Sequence, residues 1–84
     1  MDRKEYRKNF GIRLRFARQR RGMTQAVLAE EAGITAGVLS NYENGKSEPM
    51  ISIAIRLSEV LKVPLLELIQ QKPEFSVSAE GERY

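Results

Sequence analysis

The sequence predicts an all-α fold of five short helices forming one small domain. Three observations carry this. Apolar residues recur at helical spacing in five successive stretches. Each stretch is closed by Gly, Asn-Gly or Pro, and two are opened by Thr. The connections between them are short, about 2–7 residues, as in compact helical domains. With 84 residues, 42% of them hydrophobic, the chain is long enough for one modest core.

The first helix is expected from about Glu5 to Arg21. Phe10, Leu14 and Ala17, at i, i+4 and i+7, form its inward stripe. Gly11 stands inside it as a weak point, costing about 1 kcal/mol relative to Ala, and Gly22 stops it. Thr24 caps a second helix, "QAVLAEEA", through its hydroxyl. Leu28 and Ala32 share one face of that helix, and Gly33 fits the left-handed position at its end. Thr35 caps a third helix, Ala36 to about Asn44, with Val38, Leu39 and Tyr42 as its apolar stripe and Asn44-Gly45 as its stop. "SEPM" opens a fourth, with Pro49 in the first turn, where its missing N–H is not needed. Its expected buried face is Ile51, Ala54, Leu57, Ser58 and Leu61, and "KVP" closes it. A fifth helix runs from Leu65 to Gln71, with Leu65, Leu68 and Ile69 inward and Pro73 ending it. "EFSVSAEGERY" reads as a polar tail, ahead of the alternative of one short strand over Phe75–Ser78. The organisation is thus a basic arm or helix extension at residues 1–8, a helical domain at 9–71 and a polar C-terminal tail at 72–84.

Charge is polarised along the chain. Residues 1–22 hold nine Lys or Arg against Asp2 and Glu5, while residues 23–84 hold five against nine acids. A basic end points to an anionic partner, nucleic acid before a membrane surface; the plainer alternative is a solvated basic helix with no partner. There is no Cys and no His. That removes disulfides, thiolate metal sites, the commonest general base and the commonest metal ligand. The adjacent Glu30-Glu31 pair lies on a helix surface, where neighbours do not face each other. No enzymatic activity, metal or cofactor is expected. No apolar run approaches the ~20 residues of a membrane span, and "MDRKEYRKNF" lacks the apolar core of a secretory signal. The expected setting is cytoplasmic. A membrane-surface helix at residues 3–21 is a weaker rival, resting on its basic, amphipathic character.

The segment from Gln25 to Asn44 has helix-turn-helix spacing. Ala29 must be small where the two helices cross. Gly33 makes the turn, Ile34 fills the space beneath it, and Leu39 and Tyr42 seat the second helix. Together with "RFARQRRGMTQAVLAEEAGI", "LSNYENGKSEP" and "ISIAIRLSEVLKVPLLELI", this segment resembles the Cro and lambda-repressor (XRE-like) type of helix-turn-helix domain over roughly residues 9–71.

The resemblance implies a compact five-helix lambda-repressor-like domain that binds double-stranded DNA sequence-specifically, usually as a homodimer, and regulates transcription, here as a repressor. It places base reading at Thr35, Ala36, Gly37, Ser40 and Asn41, with Val38 at the edge. It places phosphate contacts at Arg18, Arg20, Arg21, Thr24, Gln25, Asn44 and Lys46. It also implies an ion pair between Arg18 and Glu43. Asn41 suits adenine, and Ala36 with the Thr35 methyl suits a thymine methyl, but Ala36 and Gly37 make no bidentate contact. Direct readout should therefore be modest, with more weight on DNA shape or the basic arm. Val63, Pro64, Leu66 and Ile53 form the candidate dimer patch, which would set two recognition helices about 34 Å apart on a palindromic operator. The alternative is an antitoxin or adaptor whose main role is to bind another protein. The helices and patches that decide between these readings can be placed in three dimensions.

Overall fold

The computed structural model describes residues 2–70. It contains α1 (Arg3–Arg20), α2 (Gln25–Ala32), α3 (Ala36–Glu43), α4 (Ile51–Leu61) and α5 (Leu65–Ile69), with no strand among the described residues. The expected C-terminal tail lies outside them.

Local chemistry sets most boundaries. α1 begins two residues before the expected Glu5, because the Asp2 carboxylate accepts the Glu5 N–H at 2.8 Å and caps it. Thr24 Oγ1 accepts the Val27 N–H and Thr35 Oγ1 accepts the Val38 N–H, both at 3.1 Å. Gly33 adopts the left-handed conformation, φ 77°, that ends α2.

α1 packs against α3 and α5, α2 against α3 and α4, and α4 against α5. Phe10, Leu14, Leu28, Leu39, Leu57, Leu61 and Leu68 supply the centre and have no exposed surface. Each such side chain contributes about 1.5–3 kcal/mol by leaving water. Ala29 is buried at the α2–α3 crossing, and Ile34 packs against the core beneath the turn.

Four expectations need correction. Val38 is 37% exposed; the inner face of α3 is Leu39, Tyr42 and Glu43, the i, i+3, i+4 set that leaves Val38 outside. Ile51 is 61% exposed, since the first turn of α4 projects past the core and Ala54 is its first buried residue. Pro49 precedes the helix instead of opening it. Met50 is the residue whose carbonyl accepts the first helical bonds, from the Ile53 and Ala54 N–H groups. Finally, α5 ends at Ile69, because Gln70 is already extended at ψ 134°.

Candidate nucleic-acid interface

The candidate site is assembled where α1 meets the end of α3. A Cβ on Gly11 would lie 2.5 Å from the Glu43 carbonyl oxygen and 2.6 Å from that of Tyr42. Gly11 is therefore a contact surface. Its missing side chain lets the two backbones close, and one and two turns further along α1 stand Arg15 and Arg18.

These arginines meet a buried carboxylate. Glu43 has no exposed side-chain surface. Arg18 Nε donates to its Oε2 at 2.6 Å and Arg18 Nη2 to its Oε1 at 3.0 Å, a two-pronged pair. Gln25 Nε2 donates to Oε1 at 3.0 Å, and Arg15 Nε approaches the same oxygen at 3.4 Å. Arg15 Nη2 also donates to Asn44 Oδ1 at 2.9 Å, and Asn44 Nδ2 donates to Ser40 Oγ at 3.3 Å. One carboxylate thus orients α1, the first residue of α2 and the end of α3.

Burial pushes the Glu43 carboxyl up, but the hydrogen bonds from Arg18 and Gln25 and the Arg18 charge outweigh it and hold the group below its ordinary value of 4.5. The Arg18 guanidinium is raised in turn, chiefly by its hydrogen bonds to Glu43. A carboxyl whose folded value is depressed stabilises the fold above its unfolded value, and that contribution is lost as pH falls through the folded value. The midpoint of thermal unfolding should accordingly hold between pH 7 and 5 and drop below about 4.5. Glu43→Gln should flatten part of that drop, measured by circular dichroism. An equally steep drop in the variant would assign it to other carboxylates.

The structure distributes the remaining candidates around this node. Ala36, Gly37 and Asn41 lie on the exposed side of α3, and Ser40 is half-buried beside them. Thr35 spends its hydroxyl on the cap. A Cβ on Gly37 would find only Thr35 Oγ1, at 4.0 Å, so packing does not require glycine there. Thr24, Arg20, Arg21, Asn44 and Lys46 are exposed, and Gln25 is half-buried with its second amide N–H free of Glu43.

Arg18 is turned inward. Its side chain is 12% exposed and its Nη1 donates to the Met23 carbonyl at 2.9 Å, which favours the ion-pair role over a phosphate contact. Arg15 takes the surface position, with a 45% exposed side chain. Sequence reasoning missed it, although Gly11, Arg15 and Arg18 fall at i, i+4 and i+7 and so share the side of α1 that faces α3. In the candidate dimer patch Leu66 is 68% exposed and Pro64 is exposed, but Ile53 and Val63 are partly spent on the core. Met50, Ile51 and Ile55 are the exposed large apolar residues of α4 and its N-cap. No helix among the described residues is long and apolar enough to cross a membrane.

Comparison with known proteins agrees with this fold. A family model described as helix-turn-helix matches residues 14–68. A Pyrococcus furiosus protein whose name places it among HTH-type transcriptional regulatory proteins is 37% identical over 59 residues, covering 70% of this chain and 19% of its own length. The chain therefore spans about a fifth of that relative. Among solved structures, the restriction-modification controller protein C.AhdI from Aeromonas hydrophila is similar with a TM-score of 0.77 at 26% identity, over 81% of this chain and 99% of that one. A hypothetical transcription factor from Neisseria has a TM-score of 0.79 at 20% identity, over 94% and 90% of the two chains, and shares the fold.

Proposed function

The chain belongs to the helix-turn-helix family, and from that premise we propose that it is a transcriptional regulator that binds double-stranded DNA through α2 and α3. The observation that carries this reading is the Glu43 node. A buried carboxylate fixes Gln25 at the start of α2, and through Arg15 it fixes Asn44 at the end of α3. Two amide groups, one at the start of α2 and one at the end of α3, are thereby oriented by hydrogen bonds to one node. Phosphate contacts position such a domain and base contacts give it choice.

In this reading Gln25, Thr24, Asn44, Lys46, Arg20 and Arg21 meet the backbone, with Arg15 added and Arg18 acting mainly through Glu43. Thr35, Ala36, Gly37, Ser40 and Asn41 face the bases. The open space at Gly37 supports a close approach of the α3 backbone to DNA, because the fold itself does not call for glycine there. The protein acts as a homodimer on a palindromic operator, in the cytoplasm and without catalysis. Repression is the simplest mode, since it needs only occupancy of a site.

Leu66 and Pro64, with the exposed Met50, Ile51 and Ile55 of α4 and its N-cap, supply the dimer surface. The same exposed apolar residues support a second reading, an antitoxin or adaptor that binds another protein.

Selection of bound sequences from a random duplex library at about 150 mM salt separates the two. An enriched inverted repeat with half-sites about ten base pairs apart is expected; salt-sensitive binding without enrichment would favour the adaptor. On the selected site, Gln25→Ala should weaken all sequences alike, whereas Asn41→Ala should cost about 1–3 kcal/mol of discrimination at one base position. Unchanged preference in Asn41→Ala, read by competition binding, would remove that residue from base reading.

A further inference from the structure

A cleft of about 280 Å³ lies where the C-terminal ends of α1 and α4 meet. It is lined by Ala17, Arg20, Arg21, Leu61, Lys62 and Val63. Its floor is apolar: Ala17 and Leu61 are buried and Val63 packs against the core. Its polar lining is three cations and no acid. Elsewhere on α1 the arginines Arg7, Arg15 and Arg18 are each paired with a carboxylate. Arg20, Arg21 and Lys62 have no ion pair among the described residues, and Arg20 is held 5.6 Å from the centre of the Phe16 ring.

Lys62 adds a second, independent observation. At φ 60° it is the only non-glycine residue with positive φ among the described residues. It occupies the left-handed cap of α4, a position that favours glycine. A side chain is kept where the backbone would do better without one, and that side chain is a cation beside two others. Helix C-termini attract single cations through their dipoles. That effect accounts for a cation at each helix end; here two such ends meet, and three cations line the one cleft between them.

We propose that this cleft binds a phosphate group, with Lys62 as a ligand outside the helix-turn-helix. The inference deepens the DNA-binding reading, in which Arg20 and Arg21 already serve as phosphate ligands. The phosphate belongs either to the DNA backbone or to a free phosphorylated small molecule, and two measurements on the whole chain distinguish these.

Inorganic phosphate, titrated against chloride at constant ionic strength, should give saturable amide shifts at Arg21, Lys62 and Val63 in NMR spectra. Lys62→Gly should weaken this binding about tenfold, the size of one charged hydrogen bond, and Lys62→Arg should retain it. Glycine is favoured at the left-handed cap, so Lys62→Gly should melt higher than the parent, and unfolding cannot explain its loss of binding. The salt dependence of DNA binding then names the source. A slope lowered by about one in Lys62→Gly assigns the phosphate to the DNA backbone; an unchanged slope with the phosphate shifts lost assigns it to a free phosphate. Absence of saturable shifts in the parent, together with an unchanged slope, would overturn the proposal. If the parent binds no DNA at all, the regulator reading fails, and the phosphate titration alone decides the cleft.

Discussion

Gly11→Ala is expected to destabilise the protein by about 1–3 kcal/mol, the usual cost of overpacking a closed contact. Helix propensity alone gives the opposite sign, a gain of about 1 kcal/mol. The structure decides between them. The new methyl would sit 2.5 Å from the Glu43 carbonyl oxygen and 2.6 Å from that of Tyr42, and neither backbone atom can rotate away. α1 and α3 must separate, and the separation acts where Arg15, Arg18 and Gln25 converge on Glu43. DNA affinity should therefore fall together with stability. Urea denaturation with an unchanged m-value, paired with a binding titration, checks both. A stabilised variant would mean that the α1–α3 contact yields to the methyl and helix propensity decides the sign.

Arg18→Leu should cost about 3–5 kcal/mol, because it leaves a buried carboxylate without its two-pronged partner. The Glu43 side chain is fully buried and that of Arg18 is 12% exposed, so solvent screening does little here. Arg15 at 3.4 Å and Gln25 at 3.0 Å cannot neutralise Glu43 to the same extent. The double variant Arg18→Leu, Glu43→Leu should recover much of the loss, since both charges leave the interior together. A double-mutant cycle from denaturation curves measures the coupling. A cost under about 1 kcal/mol for the single change would place the pair among exposed surface ion pairs.

What the sequence made legible was mostly local. Thr24, Gly33 and Thr35 act within three or four residues of themselves, and their roles as caps and stop followed from residue type. The Arg18–Glu43 pair came from family resemblance, and the buried leucines came from periodicity. Gly11 was misread because its meaning depends on a backbone more than thirty residues away, which no helical periodicity encodes. Val38 and Ile51 fit an apolar stripe in one dimension, but α3 gives its third inward place to Glu43 and α4 overhangs the core at its start. Arg15 looked like one more cation on a basic helix; its contacts with Glu43 and Asn44 single it out.

The pairing of helices has a further consequence. α1 rests on α3 and α5, α2 on α3 and α4, and α4 on α5, so every helix has a neighbour in space that is not its neighbour in sequence. None can detach without exposing core leucines of another. The domain should open as a single cooperative unit, with the slowest-exchanging amides of α3 reporting the free energy of whole-domain unfolding. On that expectation the helix proposed to read bases would have no melted state of its own, which would leave adaptation to DNA to side-chain rotamers and to the bending of the duplex.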